Sequence, residues 1–338
     1  MTPPDPALII DLIQAFRRSK TMFTAVSLGI FDLLHQAPAG AAALAAHLGA
    51  NDDATERLLD ACAALGLLRK GGGVYANSPA SETYLRAASP HTLSGYVRYS
   101  DAALYPMWNH LEDAVREGTH RWSQTFGADG PIFSHFFRTD EAMRDFLRGM
   151  HGFGMLTSPK VVAAFDLSRF RRLVDLGSAT GHLVIAACER YPDLRGAVFD
   201  LPRVAAIARE AVALSPAHDR IQVLAGDFFE DELPPADLYS AGQILHDWNE
   251  GQIGRLLARV FDRLPPGGGL LVAEKLLEED GVGPVPANMQ SLGMLICTEG
   301  KERSLTEYTH LLQRAGFGRV EGRRTGVPLD AILAWKDQ

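Results

Sequence analysis

The sequence has 338 residues, of which 46% are hydrophobic and 22% are charged. This length and composition are typical of a globular protein with two or three domains and sizeable cores. The 41 acidic residues outnumber the 33 basic ones and give a formal net charge of −8. That balance argues against nucleic-acid binding as the main function, because nucleic-acid-binding proteins usually present a basic face.

The N-terminal residues and the cysteines indicate the cellular compartment of the protein. The start of the chain, MTPPDPALIIDLIQAF, lacks the basic beginning and apolar core of a signal peptide. No apolar stretch approaches the roughly 18 residues of a membrane span. Cys62, Cys188 and Cys297 are far apart, odd in number and surrounded by apolar residues, so we interpret them as reduced thiols. These features predict a cytoplasmic protein that does not contact membranes.

Residues 8 to about 100 predict helices, because apolar residues recur there every three or four positions. A helix, a turn at LGAN and a second helix from Asp52 or Asp53 precede two short strands around KGGG, and this order predicts a winged helix. The second helix is acidic, which favours dimerisation or a substrate lid over DNA binding. A DNA-binding regulator stays the alternative. The charged residues of that helix are Asp52, Asp53, Glu56, Arg57 and Asp60.

The second half of the chain changes its pattern. After residue 170, short β-rich runs alternate with helical segments, which is typical of a doubly wound α/β domain with a mostly parallel sheet. The tail GRVEGRRTGVPLDAILAWK predicts a closing hairpin. We therefore expect three parts: a helical winged-helix dimerisation domain (1–100), a helical linker (101–168) and an α/β catalytic domain (169–338).

The ends of the β-runs carry the candidate ligand residues, because ligands of open α/β sheets bind beyond the carboxyl ends of the strands. The first run ends in DLGSATGHL, where Asp175 precedes Gly177 in either a ligand loop or a plain tight turn. Asp200 follows at close to the spacing, about 20 residues, at which an acidic residue binds ribose hydroxyls. Asp227 and Phe228 follow the third run. One such aspartate is commonly a helix cap, but three consecutive strand ends favour a nucleoside-bearing ligand.

The fourth β-run, DLYSAGQIL, leads into His246 and Asp247. An imidazole has a reference pKa of about 6.5, which suits proton removal near neutral pH. The next run brings Glu274 to the same edge of the sheet, where its carboxylate can orient the imidazole. We interpret these residues as a base and its partner. The alternative is a turn that caps the next helix.

Six motifs, taken in chain order, resemble those of class I S-adenosylmethionine-dependent O-methyltransferases of the caffeate/acetylserotonin (hydroxyindole) type: LVDLGSATG, VFDLP, AGDFF, ILHDW, PGGGLLVAE and TEGKERSLTEYTHLLQRAGF. The similarity covers nearly the whole chain, and GIFDLL, TERLLDACAALGLL and DAILAWK resemble the acetylserotonin methyltransferase-like branch. The resemblance implies a Rossmann-like catalytic domain and a homodimer formed through the N-terminal helices. It also implies methylation of a hydroxyl on an aromatic (phenolic) small molecule. S-adenosylmethionine would be the cofactor and S-adenosylhomocysteine the product, without a metal ion.

The resemblance also implies site residues by position. His246 matches the general base, and Glu274 and Glu302 match the carboxylates that flank it. The expected cofactor-binding residues are Asp175, Gly177, Asp200, Asp227, Phe228 and Gln243. The expected acceptor-binding residues are Phe146, Met150, Asp247 and Met294.

Two places depart from the family pattern. Ser178 and Ala179 stand where the family usually has two glycines, and their side chains either crowd the cofactor or shift the loop. Gln243 stands where the family commonly has an arginine or lysine that helps to fix the cofactor. Glutamine can form hydrogen bonds but has no charge, so we expect weaker cofactor binding. The alternatives are an N- or S-methyltransferase and a protein that binds the cofactor without transferring methyl.

Overall fold

The computed structural model describes residues 4–127 and 129–337. Residues 1–3, 128 and 338, which belong to the three expected parts of the chain, lie outside the described residues. The chain divides into two compact units, one up to Ala103 and one from Leu104 onward. The three-part division into 1–100, 101–168 and 169–338 stays a prediction.

The first unit combines helices with a small antiparallel sheet. Its strands β2 and β3 pair as a hairpin that turns at Gly72 and Gly73, both with positive φ, and β1 pairs with β3. The helix–turn–helix and the hairpin agree with the expected winged helix. The elements are α1 (Ala7–Ser27), α2 (Ile30–Gln36), β1 (Ala39–Gly40), α3 (Ala41–Leu48), α4 (Asp52–Ala64), β2 (Leu68–Gly71), β3 (Val74–Asn77), α5 (Pro79–Tyr84) and α6 (Ser94–Tyr99).

Helix α1 leaves an apolar surface exposed near its N-terminus. The large apolar side chains there are about half exposed or more, and contiguous apolar patches on a protein surface commonly mark an interaction site. We call this set the α1 apolar patch. It consists of Leu8, Ile9, Ile10, Leu12, Ile13 and Phe16.

The second unit contains the larger sheet and the helices that cover it. Its helices are α7 (Tyr105–Trp108), α8 (Leu111–Glu117), α9 (Trp122–Phe126), α10 (Ile132–Phe136), α11 (Asp140–Ala163), α12 (His182–Arg190), α13 (Pro202–Ala213), α14 (Glu250–Arg263), α15 (Val285–Cys297) and α16 (Leu305–Arg314). Its strands are β4 (Arg172–Leu176), β5 (Arg195–Asp200), β6 (Ile221–Ala225), β7 (Leu238–Gly242), β8 (Gly269–Glu274), β9 (Arg319–Arg323) and β10 (Asp330–Trp335). Short single turns occur at Ser100–Leu104, His218–Arg220 and Leu245–Asp247.

The strand order of this sheet, over the described residues, is β6-β5-β4-β7-β8-β10-β9. Strands β4 to β8 run parallel, and β10 pairs antiparallel with both β8 and β9. The doubly wound α/β fold and the closing hairpin are therefore as predicted. The chain order reverses between β4 and β7, and a ligand is expected in the crevice beyond the carboxyl ends of these two strands.

Apolar side chains cover both faces of the sheet. In β4, Leu173 joins the core on the side of α12, whereas Val174 and Leu176 join the core on the side of α14 and α16. This alternation follows from the two-residue period of a strand. Both faces are buried, so the edge formed by the strand ends is where polar residues can meet a ligand. Among the described residues, none of the helices has both the length and the apolar character needed to cross a bilayer.

Candidate active site

A cavity of about 560 Å³ lies at the strand ends of the large sheet, within the usual size range of small-molecule sites, about 300–1,000 Å³. Asp175, His246, Glu274, Glu302 and Met294 are buried residues outside its lining. All of the other expected site residues line the cavity directly: Phe146, Met150, Gly177, Asp200, Asp227, Phe228, Gln243 and Asp247.

The loop after β4 brings its backbone against this cavity. Gly177 has a φ of 63°, and a Cβ placed on it would overlap the side chain of Ile244. Position 177 therefore favours glycine for its backbone conformation, and a Cβ there would also require the Ile244 side chain to shift. Ala179 also has a positive φ, 52°, and lines the cavity.

The side chain of Ser178 is directed away from the cavity. Its Oγ donates a hydrogen bond to Asp175 Oδ2 at 2.6 Å, and the Oγ of Ser240 donates to Oδ1 at 2.6 Å. All three residues are buried. Burial raises the pKa of Asp175 to about 6, although both serines act to lower it. Asp175 thus links the loop to β4 and β7, and the side chain of Ser178 lies outside the cavity lining.

Asp200 links the second strand end to the same loop. Its Oδ2 accepts from the Ala179 N–H at 2.8 Å, and its Oδ1 accepts from the Leu201 N–H at 2.7 Å. Burial raises the pKa of Asp200 to about 7, against the effect of these two donors. Each carboxylate oxygen keeps a second lone pair, so Asp200 can still accept hydrogen bonds from the hydroxyls of a ligand in the cavity.

The turn after β7 holds His246 in a group of carboxylates. His246 Nδ1 lies 2.7 Å from Glu302 Oε1 and 3.4 Å from Glu274 Oε2, and its Nε2 lies 3.6 Å from Asp247 Oδ1. Because Glu302 Oε1 can only accept when ionised, Nδ1 carries a proton and donates it. This tautomer leaves Nε2 as the nitrogen that can take a proton.

Glu274 makes backbone contacts in addition to the expected one with the imidazole. Its Oε1 accepts from the backbone N–H groups of Ile244 and Leu245 at 3.1 and 2.9 Å, and the His246 N–H lies 3.4 Å away. The end of β8 thereby fixes the backbone that carries His246, while Glu302 makes the closer contact with the imidazole. The sequence placed Glu274 at this edge but gave no signal for the backbone hydrogen bonds.

Aromatic side chains form much of the cavity lining. Phe133 and Trp248 rings lie 5.8 Å apart, and Phe137 and Phe146 rings meet edge-on at 6.2 Å. Such a lining suits a flat aromatic ligand. The residues on the cavity that were not expected include Phe133, Phe137, His182, Arg203 and Trp248. The aromatic run PIFSHFF was a signal for two of them, and His182 directly follows the glycine loop.

Comparisons with known proteins agree with this geometry. An O-methyltransferase domain matches residues 108–318, and an O-methyltransferase dimerisation domain matches residues 10–87. This chain belongs to the O-methyltransferase family. Acetylserotonin O-methyltransferase of Gallus gallus is 41% identical over 98% of this chain and 97% of its own.

Solved structures of family members resemble the whole chain. The crystal structure of human N-acetylserotonin methyltransferase in complex with SAM has a TM-score of 0.94 and 39% identity and covers 100% of both chains. Mitomycin 7-O-methyltransferase has a TM-score of 0.85 and 28% identity over 98% of this chain and 97% of its own. The predicted family, fold class and S-adenosylmethionine dependence are confirmed. The predicted roles of individual site residues stay predictions.

The O-methyltransferase site contains an unusually basic histidine. Burial alone would lower the pKa of His246, but Glu274, Glu302 and Asp247 outweigh burial and raise it to about 10. Burial also raises the pKa of Glu274 and brings that of Asp247 to about 6. A phenol has a pKa of about 10, so the neutral form of His246 matches a phenolic hydroxyl in proton affinity.

We expect Glu302→Gln to move the rising limb of kcat against pH to lower pH. The wild-type limb should rise toward the pKa of His246, because only the neutral imidazole accepts a proton. Removing one of the carboxylates that stabilise the imidazolium lowers that pKa, so the neutral form is present at lower pH. Glutamine keeps the size of the side chain. The check is a kcat–pH profile of both proteins, and an unchanged limb would show that another group titrates.

Proposed function

We propose that this O-methyltransferase methylates a phenolic hydroxyl with His246 as the general base. The observation that carries the proposal is the orientation of His246: Nδ1 donates to Glu302, and Nε2 lies beside Asp247, which lines the cavity. Asp247 would position the acceptor hydroxyl. S-adenosylmethionine supplies an activated methyl group on a sulfonium when it is bound, so the protein has to align the acceptor oxygen and remove one proton.

The residues at the strand ends fit this cofactor. The backbone at Gly177 can approach a ligand closely because it carries no Cβ. Asp200 has free lone pairs for ribose hydroxyls, and Phe228 and Phe229 line the cavity beside Asp227 for an adenine ring. We propose that these residues hold the amino-acid, ribose and adenine parts in that order. No step of the proton transfer requires a metal ion, and a chelator is expected to leave kcat unchanged.

The experiment that tests the proposed function is product analysis. The protein is incubated with S-adenosylmethionine that carries a deuterated methyl group and with a panel of hydroxyindoles, simple phenols, anilines and thiols. Mass spectrometry then locates the label. Label on a phenolic or hydroxyindole oxygen supports the proposal. Label only on nitrogen or sulfur would contradict a hydroxyl acceptor and indicate an N- or S-methyltransferase. If the protein binds the cofactor but labels no acceptor, the result would favour a protein that no longer transfers methyl.

Helix α15 leaves a space at Gly293, which is not one of the residues that line the cavity. This glycine of α15 is buried, yet a Cβ built on it would meet no described atom within 4 Å outside its own helix backbone. Cys297 lies one turn further, and the Asp247 carboxylate adds to burial in raising its thiol pKa. The Gly293–Cys297 face therefore lies near Asp247. We propose that this space receives the part of the acceptor that is remote from the hydroxyl.

We expect Gly293→Leu to lower kcat/KM for bulky acceptors by about tenfold or more, with a smaller effect on simple phenols. The isobutyl group would occupy the open space beside Met294. Gly254→Leu is a matched control, because Gly254 also lies within a helix with open space around it but is exposed. Equal losses for small and bulky acceptors would contradict a role in acceptor size.

We propose a homodimer in which the α1 apolar patches of two subunits are buried. The dimerisation domain over residues 10–87 includes most of that patch. We expect Leu12→Glu to produce monomers in analytical ultracentrifugation, since it would place a charge in an apolar contact. Leu214→Glu is the control, because Leu214 is exposed but lies outside α1. A Leu12→Glu protein that stays dimeric would place the dimer contact elsewhere.

A further inference from the structure

His182 lines the cavity but has no part in the proposed proton transfer or in the proposed cofactor contacts. It is the first residue of α12 and directly follows Gly181, which has a φ of 82°. Its half-buried side chain lines the same cavity as Gly177 and Ala179. A histidine at this position therefore faces whatever the glycine loop holds.

The helix behind the cavity is shaped around the ring of His182. Gly154 lies inside α11, and a Cβ placed on it would overlap the imidazole. A glycine within a helix costs about 1 kcal/mol relative to alanine. At Gly154 the ring fills the space that a side chain would need, so the imidazole is held flat against α11.

The hydrogen bond of His182 fixes which nitrogen carries the proton. Ser158 Oγ lies 2.9 Å from His182 Nδ1, and Ser158 is buried. A buried hydroxyl needs an acceptor for its proton, and Nδ1 is its partner among the described residues, so Ser158 donates. Burial, with a contribution from His151, lowers the pKa of His182 well below its usual value. The ring is therefore neutral at pH 7, and Nε2 carries its hydrogen.

The N–H at Nε2 of His182 forms no hydrogen bond with the residues that the structure describes, so it is available to a ligand in the cavity. A neutral N–H donor favours an acceptor such as a carboxylate. The basic side chain on the cavity, Arg203, is bound elsewhere: its guanidinium donates to Asp140 at 3.0 Å and to the Phe137 carbonyl at 3.3 Å. Gln243, at the position where relatives commonly have a cation, has no charge.

We propose that His182 is a cofactor-binding residue whose Nε2–H donates a hydrogen bond to the carboxylate of S-adenosylmethionine. Ser158 and Gly154 hold the ring in position for this contact, which offsets the missing cation at Gln243. The proposal rests on the proposed function, which places the amino-acid part of the cofactor at the glycine loop.

The test compares two ligands that differ in one group, S-adenosylhomocysteine and its decarboxylated analogue, by calorimetric titration of the full-length protein. We expect His182→Phe, which keeps a ring but has no N–H, to weaken binding of S-adenosylhomocysteine by about 10- to 100-fold. Binding of the decarboxylated ligand should change little. Ser158→Ala should also weaken binding of S-adenosylhomocysteine selectively, but by a smaller factor. The imidazole stays in place in this variant and loses only the hydrogen bond that orients it.

The outcomes separate this proposal from the proposed function. If His182→Phe weakens both ligands equally, or neither, His182 only fills space between α11 and α12 and the proposal fails, while cofactor binding and methyl transfer by the wild type still stand. If the wild type binds both ligands equally tightly, the carboxylate has no partner in the site and the proposal also fails. If His182→Phe does not fold, Ser158→Ala decides: equal weakening of both ligands, or of neither, overturns the proposal.

Discussion

Replacing His246 by alanine should lower the rate of methyl transfer by about 100- to 10,000-fold, the usual contribution of a general base. Nε2 of His246 is the nitrogen beside the cavity that can accept the phenolic proton, since Nδ1 donates to Glu302. The affinity for S-adenosylhomocysteine should stay close to that of the wild type, because the proposed cofactor contacts are made by other residues, at the ends of β4, β5 and β6. A single-turnover measurement with excess enzyme is the right check, because it excludes slow product release.

The control for this prediction is His310→Ala, since His310 is an exposed histidine on α16. It should transfer methyl at the wild-type rate. A His246→Ala protein that retains a rate within about threefold of the wild type would mean that the acceptor reaches the site already ionised, or that Asp247 takes its proton.

Replacing Glu274 by alanine should lower the free energy of unfolding by about 3–5 kcal/mol, as expected when a buried charged network loses one partner. The backbone N–H groups of Ile244 and Leu245 would lose their acceptor while still buried, and each unsatisfied donor costs about 1–3 kcal/mol. The turn that carries His246 would lose its support, so methyl transfer should fall as well. Urea unfolding measures the change in free energy.

Glu274→Gln separates the two functions of this side chain, because its amide oxygen can still accept from the backbone. Burial raises the pKa of Glu274 above its unfolded value, so the ionised carboxylate destabilises the fold progressively as pH rises from about 4 through the folded-state pKa. Glutamine has no such ionisation. We therefore expect Glu274→Gln to lose much less stability than Glu274→Ala. The free energy of unfolding of Glu274→Gln should be most favourable, relative to that of the wild type, at alkaline pH. Equal losses for the two variants would contradict the hydrogen-bonding role.

The positions of the site residues were predictable because they depend on local pattern and chain order. Asp200 and Glu274 each end a short apolar run, and parallel strands bring their carboxyl ends to one edge of the sheet. His246 follows the same logic one turn beyond β7. The pattern of apolar residues therefore predicts that these side chains lie near each other at one edge of the sheet.

The contacts themselves were not predictable, because they depend on packing between distant segments. Nothing in the sequence near Glu274 shows that its carboxylate binds the backbone after β7. The direction of Ser178 depends on the buried carboxylate of Asp175, which keeps this side chain out of the cavity lining. The position of the His182 imidazole depends on Gly154 in another helix. The spacing of residues along one segment does not reveal a contact between two segments.

His246 is only 4% exposed, so under the proposed mechanism a proton that it takes from the acceptor would have no direct route to bulk water while a methylated product covers Asp247. Deprotonation of the imidazole then has to wait until the product leaves. At a pH above the His246 pKa of about 10, where the free enzyme holds a neutral imidazole, proton appearance in the medium and product departure would share one rate constant, and a viscous cosolvent that slows departure would slow both equally. A more concentrated buffer would accelerate neither, because its molecules reach the imidazole only after the cavity has emptied.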